Sequence, residues 1–382
     1  MSGPVNPGVF VEELPSGART IAGVPTSITA FVGYTSSGEI DTPVDVYSFA
    51  DFERTHGGLH PDSAVSYAVS QFFLNGGTHA IVVRVAVGGA TELIGATETQ
   101  GLRALDDVDL FNILSIPATF DLPEAVGLPV VRSGIALCER RRAFYIVDPP
   151  SSQTLAGMAS WASGIRHRNA ATYFPAVLIA DPQNGLPARA MAASGTLAGV
   201  YARTDSDRGL WKAPAGTAAT LLGVSGLSFA MNDIENDGLD RNGVNALRTF
   251  PPGGVVAWGA RTLKGSDEEA DEYKYVPVRR LALFLEESID RGTRWAALEP
   301  NDEPLWSRIR LDVGAFMMNL FRQGAFQGRT PSDAYFVRCD STTTAQADID
   351  NGVVIIVVGF APLKPAEFTV IELHQGAGPI PT

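Results

Sequence analysis

Short, unbroken apolar runs set between stretches of helical periodicity constrain this chain more than any other feature. Residues 80–85 (Ala-Ile-Val-Val-Arg-Val), 144–147 (Phe-Tyr-Ile-Val) and 176–180 (Ala-Val-Leu-Ile-Ala) are too short for buried helices and too apolar for half-exposed strands. Strands covered on both faces read this way, which puts them in the centre of a parallel sheet flanked by helices. The intervening stretches supply those helices. Ser63 stands where it can cap one in which Ala64, Tyr67, Ala68, Gln71 and Phe72 share a face, and Asn75-Gly76-Gly77 stops it. Ser48 is placed to cap residues 49–55, and residues 153–169 and 191–202 also read as helices, the latter rich in small side chains suited to close packing.

The pattern changes near Lys264. Residues 266–272 (Ser-Asp-Glu-Glu-Ala-Asp-Glu) form a charged surface loop, and two amphipathic helices follow. In 278–291, Leu281, Leu285 and Ile289 lie on one face; in 303–323, Trp306, Ile309, Val313, Phe316 and Leu320 do. Strand-like runs at 334–339, 352–360 and 368–373 close the region. With 382 residues the chain exceeds one ordinary core. The expected class is therefore α/β plus α+β: an arm at 1–30, an α/β domain at 31–264, a smaller α+β domain at 265–364 and a second arm at 365–382.

Both ends carry extended segments with no neighbour in sequence to pair with. Val9, Phe10 and Val11 lie in one; Phe368, Val370, Ile371 and Leu373 lie in the other. A strand cannot satisfy its backbone alone, so such a terminus is either frayed or pairs with something distant, a first hint of pairing with other copies of the chain. The Gly- and Pro-broken residues 14–25 and 361–365 are placed to act as hinges beside them.

Several function classes are unfavourable. A formal charge of −13 argues against nucleic-acid binding, which rests on Lys and Arg neutralising phosphates. Residues 279–329 hold eight Arg against seven acidic residues, so one locally basic face remains available to an acidic partner. Only Cys138 and Cys339 are present, which fits a reducing compartment. The start of the chain does not read as a signal peptide, and the longest mostly apolar run, 353–363, is far shorter than the ~20 residues of a spanning helix. Synthesis in the cytoplasm without membrane insertion is expected.

Constellations that imitate chemistry fail on inspection. Asp148 and the Ser194-Gly195-Thr196 run lack a histidine in a partner context, as a triad requires. Residues 233–238 imitate the start of a calcium loop, but position twelve is Val244, and a solvated acidic loop is expected instead. His56 and His60 are separated by Gly57 and Gly58, against a shared zinc. Arg140-Arg141-Arg142 reads as a solvated lead-in to the strand at Phe144. No catalytic residue, metal or cofactor site is expected.

The sequence segments, taken in order, resemble the tail sheath family of contractile phage tails, pyocins and related injection particles. The resemblance is carried by Pro7-Gly8-Val9-Phe10-Val11-Glu12-Glu13, residues 26–33, Ser48-Phe49-Ala50-Asp51-Phe52 with Gly57-Gly58, and Phe72-Phe73-Leu74-Asn75-Gly76-Gly77. Gly243-Val244-Asn245, Trp258-Gly259-Ala260-Arg261-Thr262-Leu263, Val278-Arg279-Arg280 and Pro365-Ala366-Glu367-Phe368 continue it. It implies a subtilisin-like α/β domain, a carboxy-terminal domain facing an inner tube, and arms that complete the sheets of neighbouring subunits in a helical cylinder. It also implies attachment to the tube through a carboxy-terminal helix. Residues 303–323, with Arg308, Arg310, Arg322 and Arg329 on or near them, are the expected helix, and 279–291 is its rival. The implied partners are copies of the chain, the tube protein, and baseplate and terminator or cap proteins. Another self-assembling shell or surface-layer protein, or a divergent α/β hydrolase, are the alternatives.

Overall fold

The computed structural model describes residues 20–86, 89–182, 186–251, 253–269, 271–363 and 369–376. The chain forms β1 (Thr29–Tyr34) and β2 (Pro43–Val46), then α1 (Phe49–His56), α2 (Ala64–Leu74) and β3 (Ala80–Val85). Ser48 and Ser63 cap the two helices, each accepting from the backbone N–H three residues on. After α3 (Ala90–Ile94) come β4 (Ile113–Ser115), α4 (Glu124–Arg140), β5 (Phe144–Val147), α5 (Leu155–Ser163) and β6 (Ala170–Phe174). Next are β7 (Val177–Asp181), β8 (Leu186–Met191), α6 (Ser194–Arg208), β9 (Val224–Leu227), α7 (Asp233–Arg241), β10 (Asn245–Phe250) and β11 (Gly254–Ala257).

Eight of these strands make one sheet in the order β11-β10-β6-β5-β4-β1-β3-β2. Its interior pairs are parallel, and only the edge strands β11 and β2 run antiparallel to their neighbours. Alternate residues feed two cores. Phe31, Val82, Phe144 and Ile146 point to the side covered by α2 and α6, while Ala30, Val32, Tyr145 and Val147 point to the side of α4 and α5.

Two expectations need correction here. Residues 176–180 are not a central parallel strand: β7 belongs to a separate antiparallel sheet with β8 and β9. Its burial alternates, so one face is partly open, whereas β6 is buried throughout and is the true parallel neighbour of β5. Pro175, which has no N–H to donate, separates the two strands. Residues 233–241 are a helix, α7, and not a loop: Asn232 and Glu235 form a reciprocal capping box at its start.

The remainder of the chain comprises α8 (Val276–Thr293), α9 (Glu303–Arg322), α10 (Pro331–Ala334), β12 (Tyr335–Arg338), α11 (Gln346–Asp350), β13 (Val353–Phe360) and β14 (Thr369–Gly376). The three strands form an antiparallel sheet in the order β12-β13-β14. A third core joins Leu281, Leu285 and Ile289 of α8 to Ile309, Val313 and Phe316 of α9 and to Val354, Ile356, Val358 and Phe360 of β13.

Helix α8 is a wall shared by both halves. Val276 and Leu283 pack into the core beneath the large sheet, while Leu281 and Leu285 face the third core. Arginines stitch the same helix across: Arg279 Nε donates to Asn169 Oδ1 (2.7 Å), Arg142 pairs with Glu287 (2.9 Å) and Arg291 with Asp109 (2.9 Å). The triplet at 140–142 is therefore not an idle solvated lead-in. Arg140 pairs with Asp106, Arg141 donates to the carbonyls of Asp106, Val108 and Asp109, and Arg142 reaches α8.

Residues 21–25, expected within a hinge, are held along α8. Ile21 is buried where Gly292 leaves space, Gly23 lies against the Phe284 ring, and the Val24 N–H donates to Ser288 Oγ at 3.1 Å.

Candidate assembly surface

Helix α9 begins at Asp302, whose carboxylate accepts from the Leu305 N–H, and its buried stripe is the one the sequence periodicity gives: Trp306, Ile309, Val313, Phe316 and Leu320. The opposite face carries Ser307, Leu311, Ala315, Asn319 and Arg322, all exposed, and Gly314 opens onto empty space. Leu311 is 54% exposed. This face is weakly charged and made of small and apolar side chains, with its positive charge at the carboxy-terminal end.

The four arginines expected to form one basic surface separate into two pairs. Arg310 is committed within the chain, donating to Glu303 Oε1 (2.5 Å) and to the Cys339 carbonyl. The Arg308 guanidinium lies 4.8 Å from the Trp295 ring centroid, and its Nε is buried with no hydrogen-bond partner among the described residues. Arg322 and Arg329 are exposed and, among the described residues, form no ion pair. Helical spacing placed the arginines on or near the helix. It could not reveal that Glu303, Cys339 and Trp295 had already engaged two of them.

At the other side of the region, β14 lies antiparallel on β13 over eight residue pairs, from Thr369 opposite Phe360 to Gly376 opposite Val353. Val370, Ile371 and Leu373 thus have partners within their own chain, opposite Gly359, Val358 and Ile356. This corrects the expectation that the terminal strand lacks a local partner. The physical reason is that β13 is long, and its Val354, Ile356, Val358 and Phe360 are fixed on the third core, so its free edge offers a ready ladder. Phe368, Val9, Phe10 and Val11 lie outside the described residues. Among the described residues, the outer edges of β12 and β14 carry no strand.

The cluster that imitated a catalytic site has a structural task. Asp148 follows β5 and accepts the N–H groups of Ala193 and Ser194 at the start of α6, both at 2.9 Å. Ser194 Oγ is bonded to Ser115 Oγ at 2.7 Å, and among the described residues no histidine joins Asp148 or Ser194. The carboxylate caps a helix. Burial pushes its pKa up to about 7, against the lowering effect of the donors at Ser194 and Ala193.

Because the folded pKa lies above the unfolded one, Asp148 contributes stability fully below about pH 4 and loses it as pH rises through 7. The whole change is roughly 4 kcal/mol at ~1.4 kcal/mol per unit. Asp148→Asn keeps the accepting oxygen and removes the charge. Its melting temperature relative to wild type should therefore be higher at pH 8.5 than at pH 5; an equal difference at both values would refute the raised pKa.

Burial pushes the Cys138 thiol up and Cys339 up to about 12, and both cysteines are free. His56 is pushed down to about 4 by burial. No cluster of three or more His, Cys, Asp or Glu able to hold a metal occurs among the described residues, and none of their helices is long and apolar enough to cross a membrane.

Residues 268–375 match the phage tail sheath C-terminal domain family. Over 94% of both chains, the sequence is 26% identical to a prophage major tail sheath protein of Pseudomonas aeruginosa strain UCBPP-PA14. Its fold is similar to the anti-feeding prophage helical sheath in the contracted state, with a TM-score of 0.76, 28% identity and coverage of 98% of this chain and 100% of that one. It is equally similar to the PVC sheath of an extracellular contractile injection system, also contracted, with a TM-score of 0.75, 29% identity and coverage of 98% and 99%.

Proposed function

We propose that the chain is a contractile tail sheath protomer, which polymerises into a helical cylinder around an inner tube and drives that tube when the cylinder contracts. It is a structural protomer of a phage-tail-like particle, and its partners are first of all copies of itself. The observation that carries the reading is full-length similarity to two sheaths, joined to an open sheet edge at the end of the chain.

The assembly step follows from backbone chemistry. A β14 strand from one copy presents the same donors and acceptors to a neighbour's β13 as to its own, with alternate side chains fixing register. Each hydrogen bond nets only about 1 kcal/mol, so a single strand is a modest link; repetition through a lattice supplies the avidity. The amino-terminal segment with Val9, Phe10 and Val11 is assigned to the same kind of pairing, and baseplate and cap proteins to the cylinder's ends. The mostly parallel sheet wrapped by helices suits the subtilisin-like description of the family. The buried capping role of Asp148 supports a non-catalytic protein.

Tube attachment is assigned to the outward face of α9, with Leu311 as its apolar centre, Arg322 at its end and Arg329 beyond that end, both without an ion pair among the described residues. Arg308 and Arg310 serve the fold instead. Electron microscopy tests the whole reading: the purified chain should form cylinders alone and should sheathe tubes when the tube protein is present. Arg322→Glu with Arg329→Glu should leave free cylinders unchanged and remove them from tubes. A wild-type chain that stays monomeric under all assembly conditions would overturn the function; a charge-reversed chain that still sheathes tubes would overturn the attachment face.

A further inference from the structure

One ion pair is buried far more deeply than the rest of the α8 seam. Arg280 and Asp205 have side chains 3% and 5% exposed. The pair is a two-pronged fork: Arg280 Nη1 donates to Asp205 Oδ1 (2.9 Å) and Nη2 to Asp205 Oδ2 (2.7 Å). The guanidinium lies 4.9 Å from the Tyr201 ring centroid, and the Tyr201 hydroxyl is bonded to that of Tyr173 at 2.6 Å.

A third element closes the junction. The carbonyl of Thr26 accepts from Arg280 Nη2 at 2.9 Å, and the Thr26 hydroxyl donates to Asp205 Oδ2 at 2.8 Å. Thr26 belongs to the segment that runs along α8 before the chain enters β1. On one side of it, Val24 is bonded to Ser288 and Ile21 is buried against Gly292; on the other, the Ile28 N–H donates to Asn112 Oδ1 at 3.0 Å. Asp205 lies on α6, Arg280 on α8 and Thr26 on the amino-terminal lead. All three meet in one contact, in which the ion pair is buried and Thr26 is half-buried.

We propose that Asp205 and Arg280 are positioning residues that anchor the root of the amino-terminal arm to both halves of the subunit at once. Any pull arriving along the arm then enters α6 and α8 together. The proposal rests on the sheath reading only for what the arm does; the anchor itself is a property of the single chain. Desolvation makes the geometry exacting: a buried two-pronged fork that also bonds the Thr26 carbonyl holds its partners in one arrangement, whereas the partly exposed pairs Arg142–Glu287 and Arg291–Asp109 are free to re-form.

Hydrogen–deuterium exchange on the full unassembled chain tests it. Asp205→Asn should speed exchange across residues 24–28 at least tenfold while leaving the β13 amides within twofold of wild type. Ser288→Ala removes a single acceptor and should release the Val24 amide while Ile28 stays protected. Wild-type protection at 24–28 in Asp205→Asn would overturn the anchor, and so would an equal acceleration in β13, which marks general destabilisation. Cylinder formation is scored separately by microscopy, so loss of the sheath reading and loss of the anchor give different results.

Discussion

A chain that ends at Leu363 should fold and stay monomeric, forming no cylinders. The deletion removes β14, whose eight-pair ladder is the longest in the carboxy-terminal sheet, and leaves β13 with β12 alone. Folding should survive because the buried side of β13 shares a core with α8 and α9: Val354, Ile356, Val358 and Phe360 are 1% exposed or less within the third core. Assembly should not, since the strand proposed to bridge subunits is gone. Circular dichroism and sedimentation would report the fold and the mass, and microscopy the cylinders. A synthetic peptide of residues 367–376 should bind the truncated chain by completing its sheet. Cylinders from the truncated chain, or a folded chain that ignores the peptide, would remove strand exchange from the mechanism.

Gly195→Ala should lower stability by about 3 kcal/mol or more, a large effect for one methyl group. Helices α2 and α6 cross so closely that a Cβ at Gly195 would stand 2.4 Å from the Ala68 carbonyl oxygen and 2.6 Å from its Cα. Gly199 makes the next approach, 2.5 Å from the Phe72 carbonyl oxygen. These are backbone atoms, which cannot swing aside as a flexible side chain would, so one helix must move and open the core on the covered face of the sheet. Gly238 is the control. It sits in α7, where a methyl group would meet nothing within 4 Å, and Gly238→Ala should stabilise by roughly 0.5–1 kcal/mol through helix propensity. Thermal melting of the two variants should move in opposite directions; a Gly195→Ala chain that melts with wild type would show that the helix crossing can relax.

The reason these helices were legible is local. Ser48 and Ser63 announce their helices by cap chemistry, and the stripes of α8 and α9 repeat at helical spacing, so a window of a few residues holds the whole signal. Strand β6 carries no such mark. Its Ala-Ala-Thr-Tyr-Phe run is small, mixed and fully buried, and only its neighbours β5 and β10 identify it as a sheet member. The apolar 176–180 run misled for the converse reason, since whether one face or two is covered depends on elements far away in sequence. The assembly surface divides in the same way. The arginines of α9 were visible, but their spent or free status is set by Glu303, Cys339 and Trp295, and the pairing of β14 is set by an edge that exists only after the third core forms.

The closure of β14 on its own β13 bears on where the energy of a lattice comes from. If a subunit joins its neighbours by lending out that strand, it breaks one ladder and makes another of identical sequence, a swap whose enthalpy is close to zero. The joint then acts as a tether that holds subunits in register while contributing little cohesion. The free energy separating a long narrow cylinder from a short wide one must therefore reside in the rigid faces of the subunits, which are released and re-matched while the tethers stay tied.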